Sequence, residues 1–312
     1  MRALILRAAV GAAFAATAAL ASAESGLIDQ FRDAIANGTT THVVDIDNDS
    51  LLLKRDDGFY TSGLRYTQRH TLAGAQGQTV FGWRIGQELY TASDIKLPPE
   101  LVGPPDHPYA GWLYAGGFKE VNRNDGSSWR LGLDLGCLGP CAGGDRTQTT
   151  LHRIIRQPLP EGWSKQVRNE LGAVLYGEIA PVRWAPQSWL DLTPYASGRF
   201  GNIFTDAGAG VRLRAGRLAT LPEQDTLHGF LRADARAVGY NATLQGGYFS
   251  NDNPHTVAPK RAVGEIEAGV AWRSGPFAAQ ASVVRRSNEV RDLPNGVGAQ
   301  NFARLSFAYT PR

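Results

Sequence analysis

The chain is poor in sulfur, with two cysteines and one methionine in 312 residues. Two cysteines close at most one disulfide, which excludes a small scaffold held by several. Excess charge of one sign is also lacking, since 32 Lys and Arg stand against 29 Asp and Glu. A polybasic nucleic-acid binder is therefore excluded, and no nucleic-acid partner is expected. A hydrophobic fraction of 43% with 20% charged residues excludes a disordered chain. Past residue 23 no apolar run is long enough to span a membrane as a helix, and mean hydropathy is −0.25. That excludes a helical membrane bundle. It does not exclude a membrane barrel, whose strands are apolar only on alternate residues.

The one continuous apolar stretch lies at the start. Arg2 and Arg7 flank it, Ala8 to Ala19 are nearly all small or apolar, and Ala21-Ser22-Ala23 is a small-x-small cleavage signal. Residues 1–23 read as a secretory signal peptide, leaving 24–312 as a single exported domain. Export permits a disulfide between Cys137 and Cys141. A metal pair there lacks a further Cys or a His at zinc spacing, so a local disulfide is the expectation.

Period-two alternation runs almost throughout. Ile266, Ala268, Val270 and Trp272 alternate with Glu265, Glu267, Gly269 and Ala271; Ala209, Val211 and Leu213 alternate with Gly210, Arg212 and Arg214. About twelve such runs occur, near 41–54, 58–71, 79–91, 109–121, 127–137, 171–183, 188–200, 205–216, 227–248, 262–274, 276–288 and 301–310. Their polar faces carry many Arg, Asp and Glu. Aromatics sit near their ends: Trp83, Tyr90, Tyr109, Trp112, Trp184, Trp189, Tyr195, Tyr240 and Tyr309. A charged interior, an apolar exterior and aromatic girdles predict an all-β fold, a transmembrane antiparallel β-barrel of the outer membrane. A soluble exported β-sandwich also alternates and is the alternative on pattern alone.

The connections are uneven. Residues 92–108 are Pro-rich, and 138–170 form the longest break. Within it, Leu151, Ile154 and Ile155 recur at helical spacing, which predicts a short helix over 147–156 in an outward loop. Asp145 or Thr147 would cap it, and Pro158 would stop it. A second helical piece is expected over 162–170, and another over 24–40. Long loops on a compact barrel are usually functional.

Candidate chemistry gathers in three places. Asp45, Asp47 and Asp49 share one face of the first strand beside Asn48, offering hard oxygens for Ca²⁺ outside any EF-hand pattern. Thr61 opens the second strand after Asp57-Gly58, a pair that also reads as a plain hairpin turn. Gln148 and His152 stand four apart on the predicted helix, so they share a face, and His is the natural general base near neutral pH.

Several stretches occur together in order: Asn48-Asp49, Gly58-Phe59-Tyr60-Thr61-Ser62-Gly63-Leu64, Gly86-Gln87-Glu88-Leu89-Tyr90, the run from Gly132 to Gly144, His152-Arg153-Ile154-Ile155, and Asn241 to Gly246. In these the sequence resembles the outer-membrane lipid A deacylases of the LpxR type, over nearly the whole mature chain. The resemblance implies a twelve-stranded barrel with its active site between the wall and a helix in an outward loop, at the outer leaflet. It implies Ca²⁺-dependent hydrolysis of the ester-linked 3′-acyl group of lipid A, with lipopolysaccharide and outer-membrane lipids as partners and a single chain sufficing. By position, His152 would activate a water, Asn48, Asp49 and Thr61 would line the site, and Gln148 would sit beside His152. Asp49, Asn48 and Asp47 are the expected metal oxygens, and Lys96 and Arg153 the expected substrate-binding cations.

Two positions depart from the family pattern. Pro158 stands where an acidic residue six positions after the His is expected, with Glu161 the nearest substitute. Lys96 has no adjacent Arg. No His is followed two positions later by Ser and no G-x-S-x-G elbow occurs, which favours an activated water over an acyl-enzyme. A passive barrel, with Arg212, Arg214, Arg232 and Arg236 setting anion preference, is the competing expectation.

Overall fold

The computed structural model describes residues 24–52 and 58–311. The predicted signal peptide and Asp57 lie outside the described residues. Thirteen strands form one antiparallel sheet, in which β1 (Thr39–Asn48) pairs with both β2 (Phe59–Gly74) and β13 (Gln300–Tyr309). The ring closes where β6 (Glu170–Ala180) meets β8 (Leu190–Gly201), from Val174↔Gly201 to Ile179↔Ala196. β7 (Trp184–Gln187) pairs with the other end of β8, through Trp184↔Leu192 and Gln187↔Leu190. It continues the line of β6 beyond a break that begins at Pro181, a residue with no N–H to give to a ladder. The result is a closed twelve-stranded wall with one extra short strand. No described helix is long and apolar enough to cross a membrane.

Closure follows from the alternation. Leu64, Ile85, Leu133, Ile266, Val270 and Phe307 project outward and are exposed. Their neighbours project inward and pair by charge. Arg69 meets Glu120 at 2.9 Å, Arg304 meets Asp47 at 2.9 Å and Glu267 at 3.0 Å, and Asp191 lies between Arg183 and Arg214. Removing one partner from such a buried pair costs about 3–5 kcal/mol, because the other charge stays behind unpaired.

The aromatic positions divide by face rather than forming simple girdles. Trp83, Trp184, Trp189 and Tyr309 are outward and exposed. Tyr90 and Trp112 turn inward with Tyr60, Phe204 and Phe302 to make a packed stopper across one end of the lumen. The predicted first strand stops at Asn48. The predicted 227–248 strand stops at Asn241, whose side chain accepts from Thr243 N and starts a helical turn.

Short turns at 75–76, 124–127 and 275–276 mark the periplasmic end, and long loops gather at the other. Helix α1 (Glu24–Asn37) lies on the outer wall, with Phe31 edge-on to Phe81 and Lys119 donating to Gln30. Helix α2 (Gly144–Ile155) lies in the longest loop. The expected second helical piece is only a 3₁₀ turn, Gly162–Lys165.

The outer loops pack over the stopper. His107 stacks on Tyr90 and donates from Nδ1 to the Pro108 carbonyl, and His255 is 2% exposed. Burial pulls both imidazoles below their ordinary value. The charged neighbours that act on them, Glu289 and Asp106, only partly oppose this. Glu289 itself stays ionised, because Arg286 and Arg236 overcome the effect of its burial. The folded loops therefore resist protonating either imidazole, so their contribution is present above the unfolded value of ~6.5 and is lost as pH falls from there through the lowered folded values. Hydrogen exchange in 92–109 and 242–261, corrected for intrinsic rates, is expected to rise between pH 7.5 and 5 while the strands stay protected.

Candidate active site

The α2 segment reaches the barrel wall through glycines. Gly139 and Gly143 adopt φ of 90° and 69°, where side chains are strained. A Cβ on Gly144 would stand 2.6 Å from the Trp163 ring, so only glycine lets the helix start press onto that indole. The preceding turn is tied to the wall by Gln87, whose amide donates to the Ala142 carbonyl at 2.6 Å. Cys137 and Cys141 form a disulfide across the same turn. Neither Asp145 nor Thr147 caps the helix. The N-cap is Gly143, and Asp145 accepts from Thr149 instead.

The helix is amphipathic in an inverted sense. Leu151, Ile154 and Ile155, the spacing that predicts the helix, are its exposed side, with Ile154 73% exposed. Gly144, Gln148 and His152 are its buried side, against the wall of β3 (Gly77–Thr91) and β4 (Ala110–Arg123). An apolar face turned outward suits a helix lying in the lipid interface. The polar face is thereby enclosed between helix and barrel.

Each buried polar group there is positioned. Trp163 Nε1 donates to Gln148 Oε1 at 2.8 Å, and the indole packs edge-on to Tyr109. His152 Nδ1 contacts the Pro158 carbonyl at 2.5 Å. A carbonyl only accepts, so Nδ1 carries the proton and Nε2 is the basic nitrogen. Position 158 thus orients the imidazole through its backbone, where an acidic side chain is expected. Glu161 is exposed, and its N–H goes to the Ile95 carbonyl.

The first two strands supply the facing side. Phe59 takes φ of 63°, and a bulge between Tyr60 and Ser62 re-aims Thr61 toward Thr91. Thr91 Oγ1 donates to the Ala92 carbonyl, so Thr61 gives its proton to Thr91 at 2.7 Å and presents acceptor lone pairs. Asp49 is buried and accepts from Gly58 N at 3.0 Å, and Gly58 packs on Ala92 and Ser93. Asn48 Oδ1 accepts from Ser50 N and from the Ser50 hydroxyl. The contact chain runs from Asp49 through Gly58 to Ala92, from Thr61 to Thr91, and along β3 from Thr91 to Leu89, which packs on Gly144. Asn48, Asp49, Thr61, Gln148 and His152 therefore share one outer rim of the barrel.

Asp47 does not join them. Its carboxylate faces the lumen, held by Arg304 at 2.9 and 3.1 Å and by Tyr60 Oη at 3.1 Å. Strand parity separates it from Asn48. Lys96 and Arg153 are exposed on the loop surface. The Lys96 loop is fastened to the segment after α2 by the Glu161–Ile95 bond. Trp163 and Thr91 carry no signal in the sequence, whereas Gln87 lies within the Gly86–Tyr90 stretch.

The rim oxygens of Asp49, Asn48 and Thr61 are hard donors, the type Ca²⁺ prefers. With one carboxylate they suit a weak site, of the order of 10⁻⁴–10⁻³ M. Among the described residues no three His, Cys, Asp or Glu side chains converge.

A closed twelve-stranded barrel carrying a helix that turns its apolar side outward has the form of an outer-membrane barrel protein. A family model described as "Outer membrane protein LpxR" matches residues 5–310, and the chain belongs to the LpxR family. The solved structure of LpxR from Salmonella typhimurium superposes with a TM-score of 0.72 at 21% identity, covering 86% of this chain and 99% of that one, which shows the same fold. The β domain of the Bordetella autotransporter BrkA is 12% identical, covers 88% of this chain and 98% of its own, and gives a TM-score of 0.48. No curated protein matches the chain.

The Gly144–Trp163 contact gives a direct check. Gly144→Ala is expected to push α2 off the wall, lowering protection of 144–155 in hydrogen exchange while the heat-modifiable migration of the barrel stays unchanged.

Proposed function

We propose that the chain is a lipid A 3′-O-deacylase of the outer leaflet, using His152 to activate a water. The observation that carries this reading is the His152 tautomer, fixed by the Pro158 carbonyl on the buried polar face of α2. Membership of the LpxR family supports the reading.

Nε2 takes a proton from water as its oxygen attacks the ester carbonyl, and the imidazolium returns that proton to the leaving sugar alkoxide. Gln148, held by Trp163, and Thr61, held by Thr91, line the slot and orient water and carbonyl. Ca²⁺, when held by Asp49 and Asn48, would supply a Lewis acid for the oxyanion. Lys96 and Arg153, both exposed, would meet the phosphates of the lipid headgroup. The rival reading, an open pore, runs against the aromatic stopper in the lumen.

Mass spectrometry of lipid A from cells expressing the protein tests this. The wild type should remove the 3′-acyl group, and His152→Ala should lose about 10²–10⁴-fold in rate with the barrel still assembled. Unchanged lipid A with folded wild-type protein and Ca²⁺ present would sink the proposal. Half-maximal activation by Ca²⁺ is expected near 10⁻⁴–10⁻³ M. Asp49→Asn should raise it about tenfold or more, and an unchanged Ca²⁺ titration would remove Asp49 from the ion site.

A further inference from the structure

The inside of the barrel is a blind chamber. Its outer end is stopped by Tyr60, Tyr90, Trp112 and Phe302. Below the stopper lies a space of about 690 Å³, bounded partly by residues 126–128 at the 124–127 turn and by 219–223 of the connection between Arg217 and Thr226 at the same end, so it faces the periplasm. Ten arginines and four carboxylates line it. Asp47, Glu178, Asp191 and Asp234 reach those arginines from behind, and positive charge still exceeds negative.

The excess is local. Arg65 has its own Asp45, and Arg84 its own Asp134. Asp191, by contrast, is divided between Arg183 and Arg214. Arg212 stands directly across from Arg232 on the neighbouring strand, and like charges so placed repel. Both are built into position by Tyr195: Arg232 Nε donates to its hydroxyl at 2.5 Å, and Arg212 lies over its ring. Among the described residues the nearest carboxylate to Arg212 is Glu178 at 3.7 Å, with each side chain 37% exposed. Asp234 reaches Arg232 at 3.3 Å. Both pairs are looser than the Arg65–Asp45 contact at 2.9 Å and the Arg214–Asp191 contact at 2.7 Å.

We propose that this chamber binds a soluble multivalent oxyanion of the phosphate class between Arg212 and Arg232. Two guanidinium forks match an oxyanion with several oxygens, and the enclosing walls concentrate their field. The charged lining offers no path for acyl chains, which selects a free anion over a lipid headgroup. The site is separate from the α2 slot on the outside of the wall.

Titration calorimetry on the full-length mature barrel in a phosphate-free, non-ionic detergent tests this, with sodium pyrophosphate as probe, no Ca²⁺, and ionic strength held by sodium chloride. Saturable binding of one pyrophosphate per barrel is expected. The Arg212→Gln/Arg232→Gln variant should weaken it about tenfold or more. Arg212→Lys keeps the charge without the fork and should fall between, and His152→Ala should bind as wild type. Heat-modifiable migration confirms assembly of each variant. Absence of saturable heat, unchanged affinity in the double variant, or loss of binding in His152→Ala would each overturn the proposal. If phosphocholine micelles compete with pyrophosphate, the assignment to a soluble anion is wrong.

Discussion

In hydrocarbon a backbone N–H or carbonyl has no water to turn to, so every strand of the wall must find a neighbour on both sides. The closed ring, from β1 paired with β13 to the β6–β8 seam, is the answer to that constraint. Once the ring is closed, side-chain alternation has only two destinations, lipid or lumen. Apolar residues take the first, and charged residues take the second and must pair there. The break at Pro181 is instructive. It interrupts the sixth strand, yet the chain resumes at Trp184 to pair with the remaining edge of β8.

The functional rim inverts the logic of the wall. Here polar groups lie on the lipid side of the barrel, where they would be costly without cover. The cover is α2, which turns Gln148 and His152 inward and Ile154 outward. Its seat depends on absent side chains, chiefly at Gly144, and on Trp163 filling the space beneath. Helix and wall therefore make a slot that is polar within and apolar without, on a surface that otherwise contacts lipid.

Most of the fold was legible in the sequence because period two is a direct record of a two-sided wall. Twelve runs map onto twelve strands, and the misfits have local causes: Asn48 ends the first strand where the chain turns to Asp49, and Asn241 caps a turn. The helix was legible by spacing, but its orientation was not, because the expectation that an apolar stripe faces a core fails beside lipid. The aromatic residues were found and partly misplaced, since Tyr90 and Trp112 serve a lumenal stopper that no single strand reveals. Asp47 looked like a partner of Asp49 until strand parity sent it to Arg304. Trp163 left no pattern, because its contact with Gln148 joins residues fifteen apart across a loop.

The support of His152 by a main-chain carbonyl has a consequence for how the site ages and responds. A carboxylate in that place can be lost by a single substitution and falls silent when it takes up a proton. The Pro158 carbonyl does neither, since every residue type carries one and it does not titrate. Sequence drift at 158 is therefore constrained by backbone shape alone.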